Sequence, residues 1–95
     1  MKRYSILQQN KWCLVCGTDK DIHIHEVFYG KNRQHSIEDG CCVYLCGMHH
    51  NMSNYGIHFN KNFDLQTKQL MEKTWLKYYN KSIDDFIKRY GKNYL

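Results

Sequence analysis

The sequence predicts an α+β fold: a short hairpin braced by clustered Cys and His, followed by two helices. Three observations predict it. Cysteine and histidine gather in two tight groups, Cys13-x-x-Cys16 and Cys46-x-x-His49. Short β-prone runs lie between these groups, at residues 21–28 and 42–45. Apolar residues recur at helical spacing only from about residue 63 onward.

Size and composition frame that expectation. The chain has 95 residues, and residues 1–95 are read as one domain with no repeat, linker or low-complexity stretch. So short a chain buries a modest core and calls for a staple, metal or disulfide. Mean hydropathy is −0.74, and no apolar run approaches the ~18 residues of a membrane span. Met1-Lys2-Arg3-Tyr4 opens no signal-peptide pattern, so an intracellular setting with reduced thiols is expected. Lys and Arg number 14 against 9 Asp and Glu, a net charge of +5 that favours an anionic partner such as nucleic acid. Proline is absent, so turns fall to Gly, Asn and Asp.

Element by element, residues 4–12 read as a short helix with Ile6 and Leu7 on its apolar side. Cys13 to Gly17 reads as a knuckle closed by glycine. Residues 21–28 alternate, with Ile22, Ile24 and Glu26 on one face and His23, His25 and Val27 on the other. Residues 29–40 are polar, with glycine near both ends, and read as a loop. Residues 42–45 form a second strand that pairs back on the first, and residues 46–54 a polar turn or short helix. Leu65, Leu70, Met71, Trp75 and Tyr78 mark a helix over about 63–79, started by Asn62 or Asp64 and ended by Asn80. Ser82 and Asp85 form a capping-box pattern for a last helix with Ile83, Phe86, Ile87 and Tyr90 on its apolar face and Gly91 at its end.

Five cysteines in a reducing setting are an odd count for a disulfide framework. Two knuckles, each offering two ligands across a tight turn, suit a tetrahedral structural zinc held by Cys13, Cys16, Cys46 and His49. The hairpin between them brings the second beside the first. Cys42 reads as a small buried hydrophobe; Cys41 is either the same or a substitute ligand. With His49 given to zinc, His25, His50, His58 and more remotely His23 are the candidates for chemistry, His23 as a supporting group behind a ligand. His35 sits in a polar stretch without a partner in sequence. Imidazole and carboxylate around a divalent cation are the parts of metal-assisted hydrolysis.

Several of these residues together resemble a known family. The run His-Glu-Val-Phe-Tyr-Gly at 25–30, Asn32-Arg33, Tyr44-Leu45-Cys46, His49-His50-Asn51, Gly56 to Asn60 and the closing Asp85-Phe86-Ile87 and Tyr90 to Leu95 resemble small phage-type HNH endonucleases. The resemblance implies a zinc-braced ββα-metal finger over about 11–62, with C-terminal helices over about 63–90. It implies cleavage of DNA phosphodiesters in a bacterial host cytoplasm, with a protein partner in phage replication, recombination or packaging. It places a catalytic divalent metal (Mg²⁺, Mn²⁺, Ni²⁺ or Zn²⁺) at His50, His58 and His25. The family's metal-ligand and general-base pair falls on His25 and Glu26, so the base position holds Glu where the family has His. Either Glu26 acts as base, or His25 does and another group binds metal. Cys41 sits where the family has its bracing Asn, so either the brace is missing or Asn32 supplies it. Lys68, Lys73, Lys77, Lys88 and Arg89 are the expected contacts to the DNA backbone. The alternative function is a non-catalytic zinc-finger module that binds DNA or a replication or recombination protein.

Overall fold

The computed structural model describes residues 3–53 and 56–95. Two five-residue runs of β-prone residues pair first: β1 (Ile22–Glu26) lies antiparallel to β2 (Cys42–Cys46), with His25 opposite Val43 and Ile22 opposite Cys46. Residues 21–28 and 42–45 thus form the expected hairpin. β2 is buried along its whole length. On β1 the last two residues, His25 and Glu26, are buried, as is Val27 just beyond, and Ile24 is 38% exposed. Of Ile22, Ile24 and Glu26, Ile22 packs against the core, while Ile24 sits at the rim of a cleft that Glu26 also lines.

The stretch joining the strands is not a loop. After a 3-10 turn at Gly30–Asn32 the chain forms α1 (Arg33–Asp39). Gly40 ends it with φ 71°, and a Cβ there would run into the ring of Tyr4, so glycine answers both needs at this stop. Ser36, fully buried on α1, donates to the Cys41 carbonyl at 2.7 Å and ties the helix to the start of β2. Asn32 does not brace the cleft; its Nδ2 donates to the Tyr90 carbonyl at 2.9 Å.

Residues 4–12 are not helical, because side chains capture the backbone groups a helix needs. Ser5 Oγ accepts from the amides of Leu7 and Gln8 and donates to the Cys42 carbonyl at 2.6 Å. Gln8 Oε1 accepts from the Tyr44 amide at 2.8 Å, and the Leu14 amide donates to the Tyr44 carbonyl at 2.8 Å. The segment runs as a strap along β2 and satisfies an edge that would otherwise be open.

Beyond β2, α2 (Gly47–His50) is a single turn, and α3 (Lys61–Tyr78) and α4 (Ile83–Tyr90) follow. Asn60, not Asn62 or Asp64, caps α3: its side chain accepts from the Phe63 amide at 3.1 Å. Ser82 and Asp85 form the expected capping box, and Gly91 ends α4 at φ 85°. The core joins Phe28, Met71, Trp75, Phe86 and Tyr90, with ring centroids of Phe28 and Phe86 4.6 and 4.7 Å from that of Tyr90. Leu65, Leu70, Tyr78, Ile83 and Ile87 lie outside it and are exposed. The buried face of α3 is set by Thr67, Met71, Glu72 and Trp75. Glu72 is fully buried because its Oε1 accepts the Tyr94 amide at 2.8 Å and so anchors the C-terminal tail; burial raises its carboxyl above the usual range.

Asp39, the last residue of α1, joins three elements. Its Oδ2 accepts from Trp75 Nε1 at 2.9 Å, Tyr90 OH at 2.7 Å and Arg89 Nε at 2.6 Å. Asp39→Ala leaves the buried Trp75 indole N–H unpaired and removes the charged acceptor of the Tyr90 phenol, which keeps the His35 carbonyl at 3.1 Å. The half-exposed Arg89 contact is screened and adds less, so the expected cost is about 2–3 kcal/mol in urea unfolding. A loss under about 1 kcal/mol contradicts this reading of Asp39.

Candidate metal centres

Cys13 and Cys16 lie on a turn closed by the Gly17 amide donating to the Cys13 carbonyl at 2.9 Å, with the Cys13 amide donating to Thr18 at 2.8 Å. Cys46 ends β2, and His49 is the third residue of α2. The hairpin brings the two pairs together: one ligand atom from each of Cys13, Cys16, Cys46 and His49 lies within 4.8 Å of all the others. Cys16 Sγ is 3.8 Å from Cys46 Sγ, and His49 Nδ1 is 3.6 Å from Cys13 Sγ and 3.2 Å from Cys46 Sγ. Burial pushes the Cys13 thiol up, but the backbone groups of Cys16, Cys46 and Val15 turned toward it outweigh that and bring it down to about 6. Three thiol sulfurs and one imidazole nitrogen converge, with one thiol primed for ionisation, and can hold a metal ion.

A second group forms on the other side of α2. His25 comes from β1, His50 from the last residue of α2, and His58 from the 3-10 turn Ile57–Phe59. Their ligand nitrogens also lie within 4.8 Å of one another. The Nε2 atoms of His50 and His58 are 2.9 Å apart, and the ring centroids of His25 lie 5.3 and 5.0 Å from those of His50 and His58. Gly56 makes this approach possible, because a Cβ there would meet the carbonyl of His50. His25 Nε2 is buried and has no hydrogen-bond partner among the described residues. Two imidazoles on one cation at ~2.1 Å place their nitrogens about 3.0–3.4 Å apart, so three rings with an orphaned nitrogen fit a cation. Burial, then the neighbouring histidines, lower His25 and His50 to about 4, which leaves both neutral and able to donate lone pairs at neutral pH.

Glu26 lies beside His25 in the same cleft of 210 Å³, lined also by Arg3, Ile24, Tyr29, Arg33, His50 and His58. Arg3 pairs with Glu26 Oε2, while the buried Oε1 has no partner among the described residues. Arg3 and Arg33 are cleft residues that sequence reasoning missed. Arg33 stood inside the quoted Asn32-Arg33 pair and carried that signal; nothing in the sequence marks Arg3.

The remaining expected site residues divide. Lys73, Lys77 and Lys88 are exposed on α3 and α4. Lys68 is bound to Asp64 Oδ2 at 2.8 Å and to Tyr29 OH at 3.2 Å, and Arg89 is held by Asp39 and Glu38. Cys41 and Cys42 are fully buried outside both clusters, and burial lifts the Cys41 thiol to about 12, so Cys41 is no substitute ligand. His35 Nδ1 lies 3.0 Å from the Arg89 carbonyl and has a packing role. Among the described residues no helix is long and apolar enough to cross a membrane. No protein-family model matches the chain, and neither a curated protein nor a solved structure does.

Two outcomes test these centres. Cys16→Ser, an exposed position that serves no core packing, is expected to abolish metal binding at the four-ligand group and the cooperative unfolding transition with it. A cooperatively folded, metal-free Cys16→Ser protein contradicts the link between metal and folding. The second outcome concerns pH with no divalent cation added. His25 takes up its proton near 6.5 when unfolded but only near 4 when folded. Stability is therefore present above pH 6.5 and lost as pH falls toward 4. Thermal midpoints at neutral and mildly acid pH should fall further for wild type than for His25→Gln, since the four-ligand group is common to both. Equal falls contradict the burial of a neutral His25.

Proposed function

We propose that the protein is a divalent-metal-dependent endonuclease of the HNH type, a ββα-metal finger braced by structural zinc, that hydrolyses DNA phosphodiester bonds. The observation that carries this reading is the convergence of His25, His50, His58 and Glu26 on one cleft rimmed by Arg3 and Arg33.

Zinc suits the four-ligand group. Tetrahedral zinc, with Zn–S about 2.3 Å and Zn–N about 2.0 Å, sets S···S edges of about 3.8 Å and S···N edges of about 3.5 Å. The Cys16–Cys46 and Cys13–His49 separations of 3.8 and 3.6 Å agree, and the Cys46–His49 edge of 3.2 Å is shorter. Thiolate donors also favour zinc over harder cations.

His25, His50 and His58 would hold the catalytic cation. When bound, such a cation polarises a phosphate oxygen and stabilises the charge on the leaving 3′ oxygen. With His25 among the ligands, Glu26 is the general base: Oε2 is held by Arg3, and Oε1 is left to accept a proton from water. Arg33 meets the phosphate at the rim, and the exposed Lys73, Lys77 and Lys88 supply sequence-independent contacts to the backbone. Lys68 and Arg89 already pair with Asp64 and Asp39.

Nicking of supercoiled plasmid with Mg²⁺, Mn²⁺ or Ni²⁺, with and without chelator, tests the reading. Wild type should nick only with metal. His50→Ala should keep one zinc and its fold while losing activity. Glu26→Gln should bind metal as wild type does and lose about 10²–10⁴ in rate. Absence of nicking by clean wild-type protein under every cation overturns the nuclease reading; the non-catalytic zinc-module reading then takes its place.

A further inference from the structure

His23 points the same way along β1 as His25 but belongs to neither ligand cluster. Its two ring nitrogens are both occupied. Nε2 lies 3.2 Å from Asp21 Oδ1, and Nδ1 lies 2.9 Å from His50 Nδ1. His50 Nε2 in turn lies 2.9 Å from His58 Nε2, on the cleft side.

The hydrogens along this chain follow from the ends. A carboxylate only accepts, so the His23 nitrogen facing Asp21 carries the proton. A neutral His23 protonated on Nε2 has a bare Nδ1, which accepts. The nitrogen facing it, His50 Nδ1, must then donate. A neutral His50 protonated on Nδ1 has its lone pair on Nε2, directed at the other cleft histidines. We propose that Asp21 and His23 are positioning residues that fix the tautomer and ring orientation of His50 and so present its Nε2 to a cation. This inference rests on the metal reading of the His25, His50 and His58 cluster.

Backbone conformation at Asp21 supports the assignment independently. Asp21 has φ 52°, in the left-handed region that L side chains rarely adopt. It stands where the chain enters β1, and its carbonyl accepts the Gly47 amide at 3.0 Å, which joins the start of β1 to the start of α2. Glycine would adopt that conformation without strain; the carboxylate is the feature that glycine could not supply. Held this way, the carboxylate reaches the ring two residues on. Hydrogen-bonded partners behind a metal-ligating imidazole commonly change metal affinity by about 10–100-fold.

Two readouts besides activity test the proposal, on full-length protein with zinc in the four-ligand group. In calorimetric titration with Mn²⁺, His23→Phe should weaken binding about 10–100-fold relative to wild type. His23→Asn, whose side-chain oxygen can accept from His50 Nδ1–H, should restore most of that loss. Equal Mn²⁺ affinity in wild type and His23→Phe overturns the proposal, as does a His23→Asn protein no better than His23→Phe. Imidazole ¹⁵N NMR of the metal-free protein gives the second readout: His23 should be protonated on Nε2 and His50 on Nδ1. His23 protonated on Nδ1, or His50 on Nε2, overturns the relay. If wild type binds no Mn²⁺ at all, the metal reading of the cleft fails, and the NMR result still decides the relay by itself.

Discussion

Two adjacent histidines on one turn of helix face two different ligand clusters, and the site depends on that turn being held. His49 closes the group of Cys13, Cys16 and Cys46, while His50 stands with His25 and His58. A four-residue helix has no stability of its own. What holds α2 is its position between β2, whose last residue Cys46 belongs to the four-residue cluster, and the Asp21 carbonyl that accepts the Gly47 amide. On the proposed reading, zinc completes this attachment, so the structural ion and the catalytic ion are coupled through a single peptide bond. The protein brings His50 to the cleft at little entropic cost because its neighbour has already been ordered.

The rest of the chain solves the problem of a small core. The aromatic cluster of Phe28, Trp75, Phe86 and Tyr90 lies beside the hairpin, and Asp39 bonds α1 to both C-terminal helices. The N-terminal strap covers β2 and delivers Arg3 to Glu26. A segment that satisfies a sheet edge therefore also places a cation at the cleft. Lys68 and Arg89 make ion pairs with Asp64 and with Asp39 and Glu38, and Arg3 and Arg33 stand at the cleft.

Much of the site was legible in the sequence because ligand chemistry is written in residue type and spacing. The two knuckles, the β-prone runs and the Ser82–Asp85 cap follow from local pattern, whereas the grouping of His25, His50 and His58 came from the family resemblance. What escaped was decided by distant partners. The strap looked helical because Ile6 and Leu7 are apolar; Ser5 and Gln8 bond to β2 instead. α1 looked like a loop because its residues are polar, and Gly40 marks its end only once Tyr4 is seen against it. Leu65, Leu70 and Ile83 fit a helical period yet face solvent, since periodicity does not say which arc meets the core. Glu72 is the converse, a carboxylate at the core made tolerable by a tail amide more than twenty residues away. His23 was visible as a residue behind a ligand, but its partner Asp21 was not, because a left-handed Asp leaves no mark in a sequence.

The central claim is that α2 separates two metal centres of different chemistry. Anomalous diffraction from crystals grown with zinc and soaked in Mn²⁺, collected on both sides of each absorption edge, tests it directly. The account predicts a zinc peak among Cys13, Cys16, Cys46 and His49 and a manganese peak among His25, His50 and His58. A zinc peak alone, with the three cleft histidines bonded only to one another and to water, would contradict it.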